Sequence, residues 1–377
     1  VSRMILISFQ SVRRFTVWNR GGSFLHRCLF RRLLILFLLV GLSCVVRFLA
    51  PIPSLHSFEG IAMTMGYHVT VGQPLSSAQI QEIEEVIEQT FQEVHEHCNP
   101  WNPESEIARL NQAEGAVFIL SPLLARLISL VDQCVKETDG LFDPTIGPIW
   151  GRWCFALMQQ ELLSSKDLER MKPLQGWNKL TLAGHVLVKK HPGIQLDVCG
   201  LAKGFCVDLL AERLRFLGVE NGLVEWGGEV YAWGSHPEKR SWSIALADRL
   251  PNGEELDLGV VDLCERALAS SGISQRYWTV EKKNYYHFVH PKTLKVLSQD
   301  ACFLLLCSVE ADSCVFADAY ATACMLFTSQ EEIQHWFEKQ HRISRLWALL
   351  HSGERLLLEK SVGQTNCNFQ NVGTLSP

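Results

Sequence analysis

The segment LDVCGLAKGFCVD, residues 196–208, holds two aspartates, two glycines and a lysine where a strand-like run passes into a helix. A plain strand-to-helix turn needs one glycine and a capping residue, so a lysine bracketed by carboxylates exceeds what the turn requires. Further on, ADAYATA, residues 317–323, sets Asp318 and Thr322 four apart, on one face of a helix. A carboxylate beside a hydroxyl is a pair of hard oxygen ligands of the kind magnesium or calcium takes. Taken alone, the pair is equally read as Asp318 favouring a helix N-terminus and Thr322 bonding back to a carbonyl.

Three other stretches have the right chemistry to line a ligand. LFDPTIGPIWGRW, residues 141–153, is dense in Pro, Gly and aromatic residues, and its punctuation predicts irregular backbone. EWGGEV, residues 225–230, puts two glycines at a strand end, for a tight hairpin or for close approach to another group. ALASSG, residues 267–272, offers Ser270, Ser271 and Gly272 as donors. No complete P-loop, G-x-G-x-x-G or G-x-S-x-G is present, so the commonest nucleotide and hydrolase signatures are missing.

The elements that must position these residues follow from periodicity. Residues 60–71 alternate as a strand. Ser76 with Gln79 forms a capping box before Ile80, Ile83, Ile87, Phe91, Val94 and Cys98 at helical spacing. A second helix opens at Ser121–Pro122 and ends at Gly140, and a third follows Lys203 and ends at Gly218. Strand-like runs at 222–226, 242–246, 277–281, 285–289 and 303–309 precede helical patterns at 317–327 and 331–341. Strands bunched between helices predict an α+β fold with an antiparallel sheet and packed helices.

Of 35 basic residues, eight arginines lie before Glu59 with no acidic residue among them, leaving 27 basic against 40 acidic residues in the rest. An acidic body excludes broad nucleic-acid binding, which needs a basic face. Leu33–Val46 is apolar but shorter than the ~20 residues of a membrane span. Behind its basic flank it reads as the core of a secretory signal or a signal anchor. Cys44 after Gly41-Leu42-Ser43 loosely resembles a lipoprotein cleavage site. The 13 cysteines include no C-x-x-C pair, and Cys134, Cys302, Cys307 and Cys324 sit in apolar runs, so packing is expected rather than a metal or disulfide framework. The sequence thus divides into a basic signal or anchor segment with linker (1–54), one catalytic domain (55–362) and a loose tail (363–377).

In this order the motifs resemble the ApbE-type FAD:protein FMN transferases, over roughly residues 58–345. TMGYHV, SEIARLN, TDGLFDPTIGPIW, LDVCGLAKGFCVD, EWGGEV, ASSG, YHFVHP and ADAYATA carry the resemblance. It implies an ApbE/T-fold-like domain. It further implies that the Gly200 carbonyl, Asp318 and Thr322 hold Mg2+, and that Met65, Trp101, Leu141, Phe142, Asp143, Asp197, Lys203 and Val289 contact FAD. His287 takes the place of the family's candidate general base. The implied reaction transfers FMN from FAD to a threonine hydroxyl of a target protein and releases AMP. Implied acceptors are flavin subunits of membrane redox complexes, such as sodium-translocating NADH:quinone oxidoreductase. The implied location is the outer, periplasmic face of the bacterial inner membrane. FAD hydrolysis to FMN and AMP, or plain flavin binding by a lipoprotein, are the rival readings. The family phrase H-x-x-D-P-x-T-G reads H-F-V-H-P-K-T-L from His287. His290 therefore stands for an aspartate and Leu294 for a glycine, and His290 is expected to lower the pKa of His287.

Overall fold

The computed structural model describes residues 54–249, 255–274 and 276–360. The chain divides into two units, residues 1–52 and 53–377, and all described residues belong to the second. The expected anchor segment and tail lie outside the described residues.

Strands β1 (His56–Ala62) and β2 (Met65–Val71) form a hairpin. Alternation through 60–71 predicts one strand, but the chain reverses at Met63 and Thr64, with φ of 47° and 71°. Two-residue hairpins demand such left-handed residues, and here neither is the Asn or Gly that marks the turn in a sequence. Helix α1 (Ser77–His97) opens on the capping box at Ser76: Gln79 N donates to Ser76 Oγ at 3.3 Å and Ser76 N to Gln79 Oε1 at 3.0 Å. Its buried face is Ile83, Ile87, Phe91 and Val94. Next come α2 (Glu106–Gln112), β3 (Val117–Ile119) and α3 (Pro122–Glu137). Beyond α3, Gly140 at φ 73° donates its N–H to Val135 O, the expected stop.

The stretch predicted as irregular is a 3-10 turn at Pro144–Ile146 running into helix α4 (Gly147–Met158). Pro148 lies in the first helical turn, where a missing N–H leaves nothing unpaired, so the Pro and Gly mark a helix start. After α5 (Ser165–Met171), β4 (Leu180–Ala183) and β5 (Val186–Lys189) comes α6 (Ala202–Phe216). The run of strands is β6 (Gly222–Trp226), β7 (Glu229–Trp233), β8 (Trp242–Arg249), β9 (Glu255–Leu263), β10 (Arg266–Gly272), β11 (Tyr277–Val280), β12 (Lys283–Val289), β13 (Val296–Ser298) and β14 (Leu304–Ala311). Helices α7 (Cys314–Cys324) and α8 (Gln330–Lys339) precede β15 (Ile343–Leu350) and β16 (Arg355–Glu359).

One antiparallel sheet runs in the order β1-β2-β6-β7-β10-β14-β15-β16, with smaller sheets β11-β12-β13, β3-β5-β4 and β8-β9 beside it. This is the α+β architecture the sequence predicts. Val207, Leu210 and Leu214 of α6 share one buried cluster with Val69, Val224, Ala269 and Val309 of the large sheet. The cysteines expected to pack, Cys134, Cys302, Cys307 and Cys324, are free and buried. Helices α6 and α7 touch at Gly204, where a Cβ would fall 2.3 Å from Cys314 O, so only glycine allows the crossing.

Candidate active site

The junction before α6 is held from several sides. Asn111 brackets Leu196, donating Nδ2 to its carbonyl at 2.9 Å and accepting its N–H at 2.7 Å. Asp197 N donates to Pro144 O at 2.7 Å, and Asp197 Oδ1 accepts from Cys199 N at 2.9 Å, closing an Asx turn. The chain that turns through Gly200 is therefore preset before any ligand arrives.

Opposite it stands α7. Thr322 Oγ1 lies 3.5 Å from Gly200 O and 3.4 Å from Ser271 Oγ of β10. A Cβ on Gly200 would fall 3.0 Å from Thr322 Oγ1 and 3.1 Å from Phe142 Cε2, so glycine keeps its carbonyl close to the hydroxyl. Asp318 is 2% exposed, and its Oδ2 accepts from Gly204 N at 3.1 Å. Burial pushes the Asp318 carboxyl up, against Lys203 and the Gly204 amide. Among the described residues no three His, Cys, Asp or Glu side chains cluster for a metal. What converges here instead is a carbonyl, a hydroxyl and one carboxylate, all hard oxygens of the type magnesium takes.

Lys203 leaves the first turn of α6 and forms an ion pair with Glu229 at the start of β7. Burial works against the Lys203 charge, but Asp318 and then Glu229 outweigh it and hold the ammonium above the ordinary lysine value. Burial holds the Glu229 carboxyl above its ordinary value, against the Lys203 ammonium that touches it. Met65 closes this side: a Cβ on Gly227 would meet Met65 Sδ at 3.0 Å and Lys203 Cδ at 3.4 Å.

His287 is half-buried on β12, and its Nδ1–H donates to Arg276 O at 3.2 Å. That bond leaves Nε2 as the free acceptor. Burial lowers its pKa, the Arg276 carbonyl bond opposes this, the Arg276 charge lowers it further, and Asp197 and Lys203 act with opposite signs. His290 is shifted down by burial and Lys292. Arg276, the first of the charges acting on His287, also stacks 5.3 Å over the Trp278 ring. Leu294 takes a left-handed turn at φ 58°, with its N–H bonded to His290 O at 2.8 Å.

The remaining expected residues are distributed unevenly. Trp101 is 69% exposed and its side chain bears on the Cys199 thiol of the junction. Phe142 packs on Gly200, and Leu141 beside it is half-buried. Asp143 is buried, with its oxygens taking Thr145 N, Thr145 Oγ1, Gln175 Nε2 and Trp177 N. Its side chain organises the loop. Val289 lies in the small apolar cluster with Trp150 and Leu294. Sequence reading passes over Asn111, Glu229 and Arg276; only the position of Asn111 within SEIARLN and of Glu229 within EWGGEV marks them. A separate open cleft of about 590 Å³, lined by Arg126, Asp208, Arg215, Tyr231, Asp312 and Arg342, shares none of these groups.

The sequence profile of the ApbE family matches residues 63–347. The chain belongs to the ApbE family. It is 38% identical over 292 residues to a FAD:protein FMN transferase of Chlamydia muridarum, covering 77% of this chain and 90% of that protein. A FAD:protein FMN transferase of Chlamydia trachomatis is 35% identical over the same length, with the same coverage of both chains. The fold matches the flavin transferase ApbE of Vibrio cholerae with a TM-score of 0.69 at 22% identity, over 82% of this chain and 98% of that one. For the ApbE protein of Thermotoga maritima the TM-score is 0.71 at 21% identity, over 82% and 97%.

Proposed function

We propose that this ApbE-family protein is a FAD:protein FMN transferase that splits FAD at its diphosphate, releases AMP and leaves FMN phosphoester-linked to a threonine hydroxyl of an acceptor protein. The observation that carries the reading is the convergence of Gly200 O, Thr322 Oγ1, Asp318 and Lys203 where α6 crosses α7. These donors fit magnesium, which when bound there supplies charge neutralisation to a diphosphate undergoing transfer. Lys203 has three N–H donors; one satisfies Glu229, leaving two for a diphosphate oxygen. Met65 and the exposed Trp101 suit the flavin ring, as an apolar flank and a stacking face.

The covalent step balances simply. The threonine oxygen bonds to the FMN-side phosphorus while the bond from that phosphorus to the bridging oxygen breaks, and AMP leaves with that oxygen. His287 Nε2 takes the threonine proton, because Nδ1 is committed to Arg276 O. The reading extends to a location at the outer face of the bacterial inner membrane and to acceptors among flavin subunits of membrane redox complexes. The basic, apolar start of the chain supports the location.

Incubating the protein with FAD, magnesium and a flavin subunit of a sodium-translocating NADH:quinone oxidoreductase tests the reading. A flavin-labelled acceptor with one AMP per label is expected. Free FMN without label makes the protein a hydrolase, and unchanged FAD makes it a binding protein. Asp318→Ala is expected to abolish labelling while the protein remains folded.

A further inference from the structure

Lys203, Glu229 and Asp318 come from three elements, α6, β7 and α7, and meet in the interior. Glu229 is 1% exposed; one oxygen meets the Lys203 ammonium and the other, Oε2, has no hydrogen-bond partner. Asp318 is 2% exposed, and its Oδ2 accepts from the N–H of Gly204, the residue after Lys203, at 3.1 Å. One ammonium therefore sits on one buried carboxylate, with a second bonded to the backbone one residue along α6. In a low-dielectric interior opposite charges attract strongly, and an ammonium without an anchor settles on the carboxylate within reach. A carboxylate covered in that way is a poor ligand for a cation. The stem of Lys203 is confined too, since Gly227, at φ 62°, leaves only the room that Lys203 Cδ and Met65 Sδ fill.

We propose that Glu229 is a positioning residue that anchors the Lys203 ammonium away from Asp318, leaving the Asp318 carboxylate open to a divalent cation. This rests on the cation site at Gly200, Asp318 and Thr322 proposed above. With both carboxyls ionised, two carboxylates and one ammonium leave the cluster one negative charge in excess. Glu229→Gln cancels that excess and frees the ammonium. Lys203→Met doubles it, and the double variant returns it to the native value with no ammonium left to wander. Glu229 as a direct ligand gives another pattern, because removing Lys203 cannot then replace the lost oxygen.

Calorimetric titration of Mg2+ into the full chain without FAD, alongside melting curves with and without the metal, separates these cases. Glu229→Gln is expected to bind Mg2+ about tenfold more weakly, the scale of one unit charge near a partly screened site. Lys203→Met is expected to bind it more tightly, and the double variant to match the native protein. Native affinity in Glu229→Gln overturns the proposal, as does a double variant as weak as Glu229→Gln. If Glu229→Gln does not fold, Glu229→Asp keeps the charge and shortens its reach. It is then expected to bind Mg2+ weakly and to be rescued by Lys203→Met, and failure of that rescue overturns the proposal. A native protein that binds FAD but no Mg2+ removes the cation site itself, an outcome distinct from an unaltered Glu229→Gln.

Discussion

His287 has its reactive nitrogen chosen by a backbone atom. With Nδ1 on Arg276 O, only Nε2 is left to accept a proton. His287→Ala is expected to slow single-turnover transfer by ~10²–10⁴-fold, the usual range for a general base. FAD affinity, read by quenching of flavin fluorescence, is expected to change little, since the proton matters only once attack begins. The pH dependence has a definite sign. Burial and then the Arg276 charge, against the carbonyl bond, hold the imidazole below its ordinary pKa. The neutral form then persists into more acidic solution, so the acid limb of the rate lies below the ordinary histidine range. Arg276→Gln removes the positive charge and keeps the backbone carbonyl. Its limb is expected to move to higher pH, and an unmoved limb in single-turnover profiles excludes Arg276 as the tuning charge.

Elements position the site by contacts that cross between them, which is why legibility in the sequence was uneven. The capping box at Ser76 and the glycine stop at Gly140 are local, and periodicity shows them. The hairpin at Met63–Thr64 is set by pairing of β1 with β2, and no turn residue announces it. Likewise Asp318 and Thr322 are legible through their spacing on one helix, whereas Glu229 acquires its partner only when β7 meets α6. Asp208 is another such case. From α6 it accepts the N–H groups of Cys314 and Val315, at 2.7 and 2.9 Å, and so caps α7 across the crossing. Asp208→Ala orphans both amides and is expected to cost about 1–3 kcal/mol in urea unfolding. Leu294 sets two effects against each other. Its φ of 58° carries roughly 1–2 kcal/mol of strain. Its side chain is 1% exposed, and losing it from the cluster costs more, roughly 2–5 kcal/mol for a leucine truncation. Burial wins, so Leu294→Gly is expected to lower stability despite relieving the backbone. A rise in the urea midpoint would show that strain dominates.

At the scale of the whole molecule, charge and apolarity separate along the chain. Eight arginines with no acidic residue, and the apolar run, lie before Glu59, and the acidic body follows. Among the described residues no helix is long and apolar enough to cross a membrane. The buried cluster described here begins at Phe58, and every proposed site residue lies beyond it. Residues 33–46 are proposed as the membrane attachment, and the described unit is expected to fold without them. A chain starting at Ser54 is expected to stay in the supernatant of a high-speed spin, melt as one transition and bind FAD as the full chain does. The full chain is expected to sediment with membranes. Detergent-free melting curves and fractionation read both outcomes. A shortened chain that still sediments with membranes moves the attachment into the body of the protein. One that stays in the supernatant but melts many degrees early makes residues 1–53 part of the core, because losing only an anchor removes no buried contact.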